Sequence, residues 1–358
     1  MKPVIVLGAG KIGRMVAHLL QGCGDYAVTA VDIDAEFLRE TERLAPGAKV
    51  AEARFDDAAA LDRLLRGATA VVSCAPFHCN ELIATRAKAA GAHYLDLTED
   101  VRVTKKIKTL AQGAGSAFVP QCGLAPGFIT IAAMHVVEGM KELHEVTMRT
   151  GALPEHPSNA LKYNLTWSTE GLINEYIQPC EAVVDGQLVL VPALEGLERV
   201  MIGGIELEAF NTSGGLGTLA ETLAGRVRHL NYKTMRYPGH NAVMKLLLQD
   251  LRFREHPKEL RHVLERAVPG TQQDIVAIFT SAVGMKDGRL AQRTYAKIIR
   301  NGTIGGHHWT AIQITTAAGV CAMLDLLAGG KLPSKGFVRN EEATYADFIA
   351  NRFGVHFA

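Results

Sequence analysis

Residues 2–13 read Lys2-Pro3-Val4-Ile5-Val6-Leu7-Gly8-Ala9-Gly10-Lys11-Ile12-Gly13, a short apolar run followed by three glycines. A continuous apolar run of this length is typical of a strand that is buried on both faces, as in a parallel sheet. The glycines form the pattern G-x-G-x-x-G, and the residues after Gly13 place apolar side chains at helical spacing. The stretch therefore predicts a strand, a tight turn and a helix, the unit that receives a dinucleotide.

The pattern of strand and helix continues for about one hundred residues. Further apolar strands are predicted at 26–31 (ending in Asp32), 49–54 and 68–73, with helical composition at 57–66 and 80–90. Strands that alternate with helices indicate an α/β fold, here a Rossmann doubly wound parallel sheet.

Each part of the turn has a physical role in binding a dinucleotide. Gly8 permits the tight turn, Gly10 lets the backbone approach the diphosphate, and Gly13 lets helix and strand pack closely. Asp32, 19 positions after Gly13, can accept hydrogen bonds from the ribose hydroxyls, and its charge would repel a 2′-phosphate. NAD is therefore favoured over NADP, although Arg54 near the third strand could instead accept a 2′-phosphate.

Other cofactor contacts are expected in the glycine turn and where parallel strands end, since ligands bind at that edge of the sheet. The predicted cofactor-binding residues are Gly8, Gly10, Lys11, Ile12, Gly13, Asp32, Ile33, Cys74, Ala75, Pro76, Leu97 and Thr98. Asp96 ends a further strand and is the first candidate for a general base beside the nicotinamide. It could equally cap the helix that follows.

After residue 122, prolines and glycines interrupt the alternation of strands and helices. Asp185-Gly186 and Asp287-Gly288 each lie between apolar runs and predict two hairpins. Residues 309–327 predict an apolar helix that packs back on the first domain. We therefore expect a Rossmann domain of residues 1–122 completed by 309–358, and an α+β substrate and dimerisation domain of residues 123–308 with a mixed or antiparallel sheet.

Composition excludes several classes of partner. The chain has 38 Lys and Arg residues against 37 Asp and Glu residues. This near-zero net charge does not favour binding to nucleic acid or to an acidic membrane. No apolar run approaches about 18 residues, and no leader segment precedes the first strand, which predicts a cytoplasmic chain without a membrane span. The six cysteines lack metal spacing, so free thiols and no metal site are expected.

From residue 120 onward the chain resembles the saccharopine dehydrogenase and lysine 6-dehydrogenase group of amino-acid oxidoreductases. The similarity lies in 121–127 (QCGLAPG), 165–176 (LTWSTEGLINEY), 232–240 (YKTMRYPGH) and 336–341 (GFVRNE). The resemblance implies a Rossmann domain, a substrate domain and a homodimer or dimer of dimers. It also implies a small-molecule amino-acid substrate.

Departures from the family pattern point to the substrate. Ala125 stands where saccharopine reductases typically carry Asp, Glu170 where they carry Arg, and residues 211–219 where they carry an arginine-containing segment. Saccharopine has three carboxylates and lysine has one, so the loss of cationic groups favours lysine. The leading hypothesis is an NAD-dependent, lysine 6-dehydrogenase-like oxidative deamination of the ε-amine to the semialdehyde. The alternatives are a saccharopine or carboxynorspermidine dehydrogenase-like enzyme and an NAD-binding regulatory protein without catalysis.

The matched motifs also supply candidate site residues. His240 is the second candidate for the base, Arg236 and Lys233 for holding the α-carboxylate, and Glu170 for receiving an ammonium group. Trp167 and Tyr163 could line the methylene chain, and the backbone of Ser213 and Gly214 could close over the ligand. The predicted substrate-binding residues are Cys122, Gly123, Trp167, Ser168, Glu170, Thr212, Ser213, Gly214, Lys233 and Arg236.

Overall fold

The computed structural model describes all 358 residues, which form two compact units. Unit 1 comprises residues 1–128, 303–307 and 313–358, and unit 2 comprises residues 129–302 and 308–312. The boundaries expected from the sequence differ from these units by a few residues.

The chain contains seventeen strands. They are β1 Lys2–Leu7, β2 Tyr26–Asp32, β3 Lys49–Glu52, β4 Ala70–Ser73, β5 His93–Asp96, β6 Ala117–Val119, β7 Glu142–Pro154, β8 Cys180–Val184, β9 Gln187–Val191, β10 Glu198–Ile202, β11 Ile205–Asn211, β12 Val227–Arg236, β13 Asp274–Lys286, β14 Arg289–Arg300, β15 Gly302–Ile304, β16 His307–Trp309 and β17 Gly336–Phe337.

Twelve α-helices connect and cover the strands. They are α1 Lys11–Gly22, α2 Ala35–Leu44, α3 Ala58–Leu65, α4 Asn80–Ala90, α5 Val101–Leu110, α6 Phe128–Val137, α7 Thr169–Ile177, α8 Leu219–Thr222, α9 His240–Lys245, α10 Pro257–Ala267, α11 Ala311–Ala328 and α12 Tyr345–Ala350. A single π-turn, Leu246–Asp250, follows α9, and short 3₁₀ turns lie at Phe77–Cys79, Phe253–Glu255, Asn340–Glu342 and Gly354–Phe357.

Unit 1 contains a seven-stranded sheet in the order β17-β6-β5-β4-β1-β2-β3, and every pairing is parallel. The predicted Rossmann doubly wound sheet is confirmed. The sequence did not predict α2, whose first turn is capped by Asp34, whereas the expected helix after β5 is α5, whose first turn is capped by Asp100. The carboxyl ends of β5, β4, β1 and β2 lie side by side, so the residues that follow these strands share one edge.

Helix α11 corrects the expectation that no apolar run approaches about 18 residues. It has 18 residues and a mean hydropathy of 1.6, so by length and composition alone it is long and apolar enough to cross a membrane. However, 78% of it is buried. The core helix of a soluble protein passes the same test, because a helix enclosed by protein is apolar on all sides. Within unit 1, its residue Asp325 receives hydrogen bonds from Tyr26, Asn351 and Arg352.

Unit 2 is built on a mixed eight-stranded sheet, as expected from the sequence. Its main path is β10-β11-β12-β7-β13-β14, and the hairpin β8–β9 joins it through β12. The pairing of β12 with β7 is parallel and the others are antiparallel. A large apolar cluster includes Tyr163, Tyr176, Phe210 and Met244.

Both predicted hairpins are confirmed. Asp185-Gly186 joins β8 to β9, and Asp287-Gly288 joins β13 to β14. All four residues have positive φ angles, from 48° to 78°. Two-residue turns with positive φ at both positions match the twist of the flanking strands, which is why Asp-Gly favours them.

Candidate functional site

In the glycine turn of unit 1, two of the three glycines are closely packed and the third has open space beside it. Gly8 has a φ of 99°, and a Cβ atom there would lie 2.6 Å from the carbonyl oxygen of Cys74. A Cβ atom on Gly13 would lie 1.7 Å from the carbonyl oxygen of Gly8, whereas one on Gly10 would have no neighbour within 4 Å. Gly8 and Gly13 are therefore required by backbone packing, as predicted, and Gly10 leaves space for a ligand to approach the backbone.

The first turn of α1 is suited to an anion. Its N-cap residue, Gly10, provides no side-chain cap, and the turn contains no acidic residue. Lys11 begins the helix, and Ile12 follows it. The N–H groups of an uncapped helix N-terminus and its partial positive charge favour phosphate oxygens. The turn therefore fits the diphosphate of a dinucleotide.

Asp32 lies at the carboxyl end of β2, beside the glycine turn. Its carboxylate accepts hydrogen bonds from the backbone N–H groups of Ala9 (2.7 Å), Ile33 (2.8 Å) and Asp34 (3.1 Å). The residue is only 8% exposed, which fixes a negative charge next to the turn. Arg54, the alternative partner for a 2′-phosphate, is exposed and makes a two-pronged ion pair with Asp56.

The remaining predicted cofactor residues lie at the same sheet edge. Ile33 follows β2 and is 56% exposed. The predicted cofactor contacts Cys74, Ala75 and Pro76 follow β4. The predicted contacts Leu97 and Thr98 follow β5. The fold thus brings these predicted positions together because their strands are adjacent and parallel.

Asp96, the first candidate base, is enclosed by protein. It is fully buried, and its carboxylate accepts hydrogen bonds from the Tyr94 hydroxyl (2.7 Å) and from the N–H groups of Gln121 (2.9 Å) and Thr98 (3.0 Å). Burial raises its pKa to about 6, against the opposing effect of these three donors. A base must reach the proton that it removes, so this position argues against a direct catalytic role.

The capping alternative for Asp96 is wrong. The N-cap of α5 is Asp100, whose carboxylate accepts a hydrogen bond from the N–H of Val103 at 2.8 Å. Asp96 instead joins the end of β5 to the segment after β6, because it holds Gln121 in a left-handed conformation with a φ of 61°.

Two predicted substrate contacts, Cys122 and Gly123, are packing positions of unit 1. The fully buried Cys122 thiol donates to the carbonyl oxygens of Val119 (3.1 Å) and Asp96 (3.2 Å). A Cβ atom on Gly123 would lie 3.3 Å from a methyl group of Thr316. This burial gives Cys122 a packing role, and its contact with a substrate stays a prediction.

Arg236 is the central charged group of unit 2. It is 2% exposed at the end of β12, and its guanidinium lies 4.9 Å from the ring centre of Tyr163 and 6.0 Å from that of Tyr176. Its Nε donates to the Tyr176 hydroxyl (3.0 Å), and its Nη1 donates to Thr234 Oγ1 and the Met235 carbonyl (2.9 Å each). It forms no ion pair, so its direct contacts are cation–π contacts and neutral acceptors, while the carboxylate of Glu175 favours its charged form electrostatically.

Lys233 was expected to share the α-carboxylate with Arg236, and this is wrong. Residues three apart on a strand point to opposite faces of the sheet. Lys233 donates instead to the Gly196 carbonyl and to Glu198, each at 2.6 Å. Its charge is therefore neutralised on the other face.

Glu170 is also misassigned. It lies in the first turn of α7, partly exposed, and forms an ion pair with Arg261 at 3.5 Å. The buried carboxylate of this helix is Glu175, which is 7% exposed and interacts electrostatically with Arg236. Positions five apart are about 140° apart around a helix, so the two carboxylates face different surroundings.

His240, the second candidate base, is fully buried at the start of α9. Its Nδ1 contacts the Leu161 carbonyl at 2.8 Å, and its Nε2 contacts the Tyr176 hydroxyl at 3.0 Å. Burial and the charge of Arg236 lower its pKa to about 3. Because both ring nitrogens are already bonded, His240 is not placed to take a proton from a ligand.

The other predicted substrate residues differ in their hydrogen bonds and burial. Trp167 is partly buried and donates to the hydroxyl of Tyr163 at 2.9 Å, and the Tyr163 ring in turn lies against Arg236. Ser168 is the N-cap of α7 and accepts from Gly171. Thr212 has a buried hydroxyl without a hydrogen-bond partner, Ser213 donates its N–H to the Glu175 carbonyl, and Gly214 has a φ of 85°.

Sequence reasoning missed Tyr176, Glu175 and Phe210 as site residues. Tyr176 lies on the same face of α7 as Leu172 and Ile173, at spacings of four and three residues, and this periodicity could have predicted its burial. Phe210 stacks on the His240 ring with centroids 6.2 Å apart. Its contact joins distant segments, and no local pattern indicated it.

Comparison with known proteins also divides the chain into two domains. Residues 4–119 match the family model for the saccharopine dehydrogenase NADP binding domain, and residues 123–353 match that for the saccharopine dehydrogenase C-terminal domain. Apo saccharopine dehydrogenase (L-Glu forming) from Saccharomyces cerevisiae has the same fold, with a TM-score of 0.78 over 95% of this chain and 94% of that one, at 17% identity.

Two curated relatives are also similar to part of the chain. The mitochondrial alpha-aminoadipic semialdehyde synthases of Mus musculus and Rattus norvegicus are 23% and 22% identical over 199 and 201 residues. The match covers 53% of this chain and about a fifth (21%) of the length of each relative. On the two family models, which together span nearly the whole chain, the protein belongs to the saccharopine dehydrogenase family of oxidoreductases.

Proposed function

We propose that the protein is an NAD-dependent amino-acid oxidoreductase that deaminates the ε-amine of L-lysine, in the manner of a lysine 6-dehydrogenase. The observation that carries this proposal is the buried guanidinium of Arg236, which has no ion-pair partner and lies within electrostatic range of Glu175. A positive and a negative group that interact in one buried region complement the α-carboxylate and α-ammonium groups of one amino acid.

The number of available cations favours lysine over saccharopine. Arg149, the other arginine buried in unit 2, is ion-paired with Glu198, and so is Lys233. Arg236 thus offers one buried positive charge, whereas the three carboxylates of saccharopine need more cationic partners. The rings of Tyr163 and Trp167 supply apolar surface for a methylene chain.

The chemistry divides between the cofactor and the residues of the chain. When bound, the dinucleotide accepts a hydride from the carbon that carries the ε-amine. The resulting substrate imine takes up water and releases ammonia, which leaves the semialdehyde. Arg236 and Glu175 hold the head group of the amino acid and thereby set the position of the distant ε-carbon.

We propose NAD rather than NADP as the cofactor, although the family model is described as NADP-binding. The carboxylate of Asp32 is held beside the glycine turn by three backbone donors, so it cannot move away from a 2′-phosphate without losing them. A fixed negative charge there accepts the ribose hydroxyls and repels the phosphate.

The cofactor proposal is tested with Asp32→Asn, which keeps the oxygen acceptor and removes the charge. We expect kcat/KM with NADP, relative to that with NAD, to rise about tenfold. Asp34→Asn is the matched control, because Asp34 caps α2 and asparagine caps a helix equally well, so the ratio should not change. A wild-type preference for NADP would refute the NAD assignment.

The substrate proposal is tested by incubating the purified protein with NAD or NADP and with L-lysine, saccharopine or carboxynorspermidine. NADH formation with lysine alone, accompanied by ammonia, supports the proposal. Reaction only with saccharopine or carboxynorspermidine would establish the second candidate, a dehydrogenase of secondary amines, which the names of the relatives favour. NAD binding without any turnover would indicate a regulatory protein.

We also propose a cytoplasmic homodimer or dimer of dimers formed through the sheet of unit 2. Leu188 and Leu190 on β9 are 59% and 67% exposed, and Met201 on β10 is 64% exposed. Exposed apolar side chains on a sheet are typical of interaction surfaces. Light scattering should give twice or four times the chain mass of 38.6 kDa, and Leu190→Lys should lower it.

A further inference from the structure

A directed chain of hydrogen bonds runs through the core of unit 2 and ends at Arg236. Arg236 Nε donates to the Tyr176 hydroxyl (3.0 Å), which contacts His240 Nε2 (3.0 Å), while His240 Nδ1 contacts the Leu161 carbonyl (2.8 Å). A guanidinium only donates and a carbonyl oxygen only accepts. The hydroxyl of Tyr176 must therefore accept from Arg236 and donate to His240, whose proton is on Nδ1.

The start of α9 holds His240 in this chain. The buried carboxylate of Glu208 accepts hydrogen bonds from the N–H groups of Asn241 (2.6 Å) and Gly239 (2.9 Å), on either side of His240. Gly239 has a φ of 103°, which a larger residue would adopt only with strain. The imidazole ring also stacks on Phe210, at an interplanar angle of 11°.

The chain fixes the plane of the guanidinium. Tyr176 binds its Nε edge, Thr234 and Met235 bind Nη1, and the Tyr163 ring covers it at 4.9 Å. Nη2 makes no hydrogen bond within the chain, so this amino group is the one left for a ligand. The direction in which Nη2 presents its N–H groups to a carboxylate depends on the orientation of this plane.

We infer that Tyr176 and His240 are positioning residues, which act through Arg236 to orient it for the substrate carboxylate. This inference rests on the proposed function. It assigns His240 a role other than proton transfer, since its Nε2 serves as an acceptor for Tyr176 and its Nδ1 as a donor to Leu161.

The first experiment replaces Tyr176 with phenylalanine, and Tyr237→Phe is the matched control. Tyr237 donates to the Pro154 carbonyl at 2.9 Å and makes no hydrogen bond to Arg236. We expect Tyr176→Phe to raise KM for L-lysine about tenfold, because Arg236 loses the hydrogen bond that fixes its plane, with kcat changed less than about threefold. KM for 1,5-diaminopentane, which lacks the carboxylate, should be unaffected. An equal change for both amines, or a matching change in Tyr237→Phe, would overturn the inference.

The second experiment compares two substitutions of His240. The amide of His240→Gln reaches the position of Nε2 and can accept from Tyr176, whereas His240→Asn reaches only the position of Nδ1. We expect Gln to keep KM for lysine within about threefold and Asn to raise it about tenfold. Equal effects of Gln and Asn on KM would contradict the inference. A loss of kcat above about 100-fold in both would identify His240 as a base instead.

A third measurement does not depend on any substrate. The ¹⁵Nε–¹H signal of Arg236 in the intact protein should shift in Tyr176→Phe, and its exchange with solvent should accelerate at least about tenfold, because the Nε–H loses its acceptor. Tyr237→Phe should leave the signal unchanged. If lysine is not a substrate but the signal responds as described, the proposed function fails and the hydrogen-bond chain stands. An unchanged signal would refute the chain itself.

Discussion

Arg149 and Arg236 are two buried arginines of the same sheet with opposite surroundings. Arg149 on β7 is 4% exposed, and Arg236 on β12 is 2% exposed. The Nε of Arg149 lies 2.5 Å from Glu198, and its Nη1 lies 2.6 Å from the Asn231 side chain. Arg236 is in direct contact with tyrosine rings, two hydroxyl groups and a carbonyl, and it interacts with Glu175 electrostatically without forming an ion pair. The two guanidinium groups lie on opposite faces of the sheet.

The difference separates a structural charge from a functional one. Burying an ion costs several kcal/mol, which a carboxylate at close range offsets for Arg149. Arg236 has no carboxylate at ion-pair distance, and Glu175 favours its charge only through a longer-range electrostatic interaction. A charge that is buried without an ion-pair partner is stabilised further when a ligand supplies the opposite charge. This contrast leads to predictions with effects of decreasing size.

The largest effect is expected for Arg236→Met. Loss of the guanidinium removes the partner of the substrate carboxylate, so kcat/KM for L-lysine should fall about 100- to 1,000-fold. The free energy of unfolding should stay the same or rise by about 1 kcal/mol, because an unpaired buried charge is replaced by an apolar side chain of similar length. Steady-state kinetics and urea unfolding of the same sample test both statements.

If Arg236→Met lowers stability while lysine turnover is retained, Arg236 is a structural charge like Arg149 and the contrast disappears.

Asp96 in unit 1 shows a third way to tolerate a buried charge, which is to take up a proton. Its pKa of about 6 lies above the value of an unfolded chain, so the folded state binds the proton more tightly. The contribution of Asp96 to stability is therefore full below about pH 4 and is lost as the pH rises through 6. The loss amounts to about 3 kcal/mol at about 1.4 kcal/mol per pKa unit.

Asp96→Asn tests this by removing the titration, since the amide oxygen can still accept from Thr98 and Gln121. Urea unfolding between pH 4.5 and 7.5 should show a smaller loss of stability with rising pH than the wild type shows. Identical pH profiles would mean that the pKa of Asp96 is not raised. A fall in kcat above about 100-fold, with the fold intact, would restore Asp96 as the base.

The smallest effect is expected for Arg149→Met. Glu198 keeps Lys233 as a partner and its side chain is 33% exposed, so the loss should be only about 1–2 kcal/mol of unfolding free energy. The kcat/KM for lysine should stay within about threefold. The pKa of Glu198 is held below its usual value, because its ion pairs outweigh the effect of burial. Acid should therefore destabilise the wild type more than the variant.

Much of the fold could be predicted because its signals are local. The apolar run of β1, the glycine turn and Asp32 are close in sequence, and each has a steric or electrostatic role that restricts the residue type. The Asp-Gly turns at 185–186 and 287–288 predicted both hairpins for the same reason. The ends of helices and strands were predicted less accurately: α11 begins at Ala311, whereas the sequence predicted a start at 309.

The candidate site of unit 2 could be predicted only in part. Arg236 was identified from its motif, but Lys233 was paired with it without regard to the alternation of strand faces. The motif indicated Glu170, whereas the buried carboxylate of α7 is Glu175, which the helix phase places elsewhere on the helix. The motif made His240 a candidate base, but both of its ring nitrogens are hydrogen-bonded to segments 64 and 79 residues away, which no local pattern could indicate.

The sequence by itself determined that a strand, a glycine turn and a helix begin the chain, that an acid follows the second strand, and that hairpins occur further on. These features depend on backbone sterics and on the spacing of neighbouring residues. Only the tertiary structure decided which charges are paired. Whether Arg236, Arg149 and Asp96 find a counter-ion depends on side chains that are distant in sequence, and burial then determines the cost of each charge.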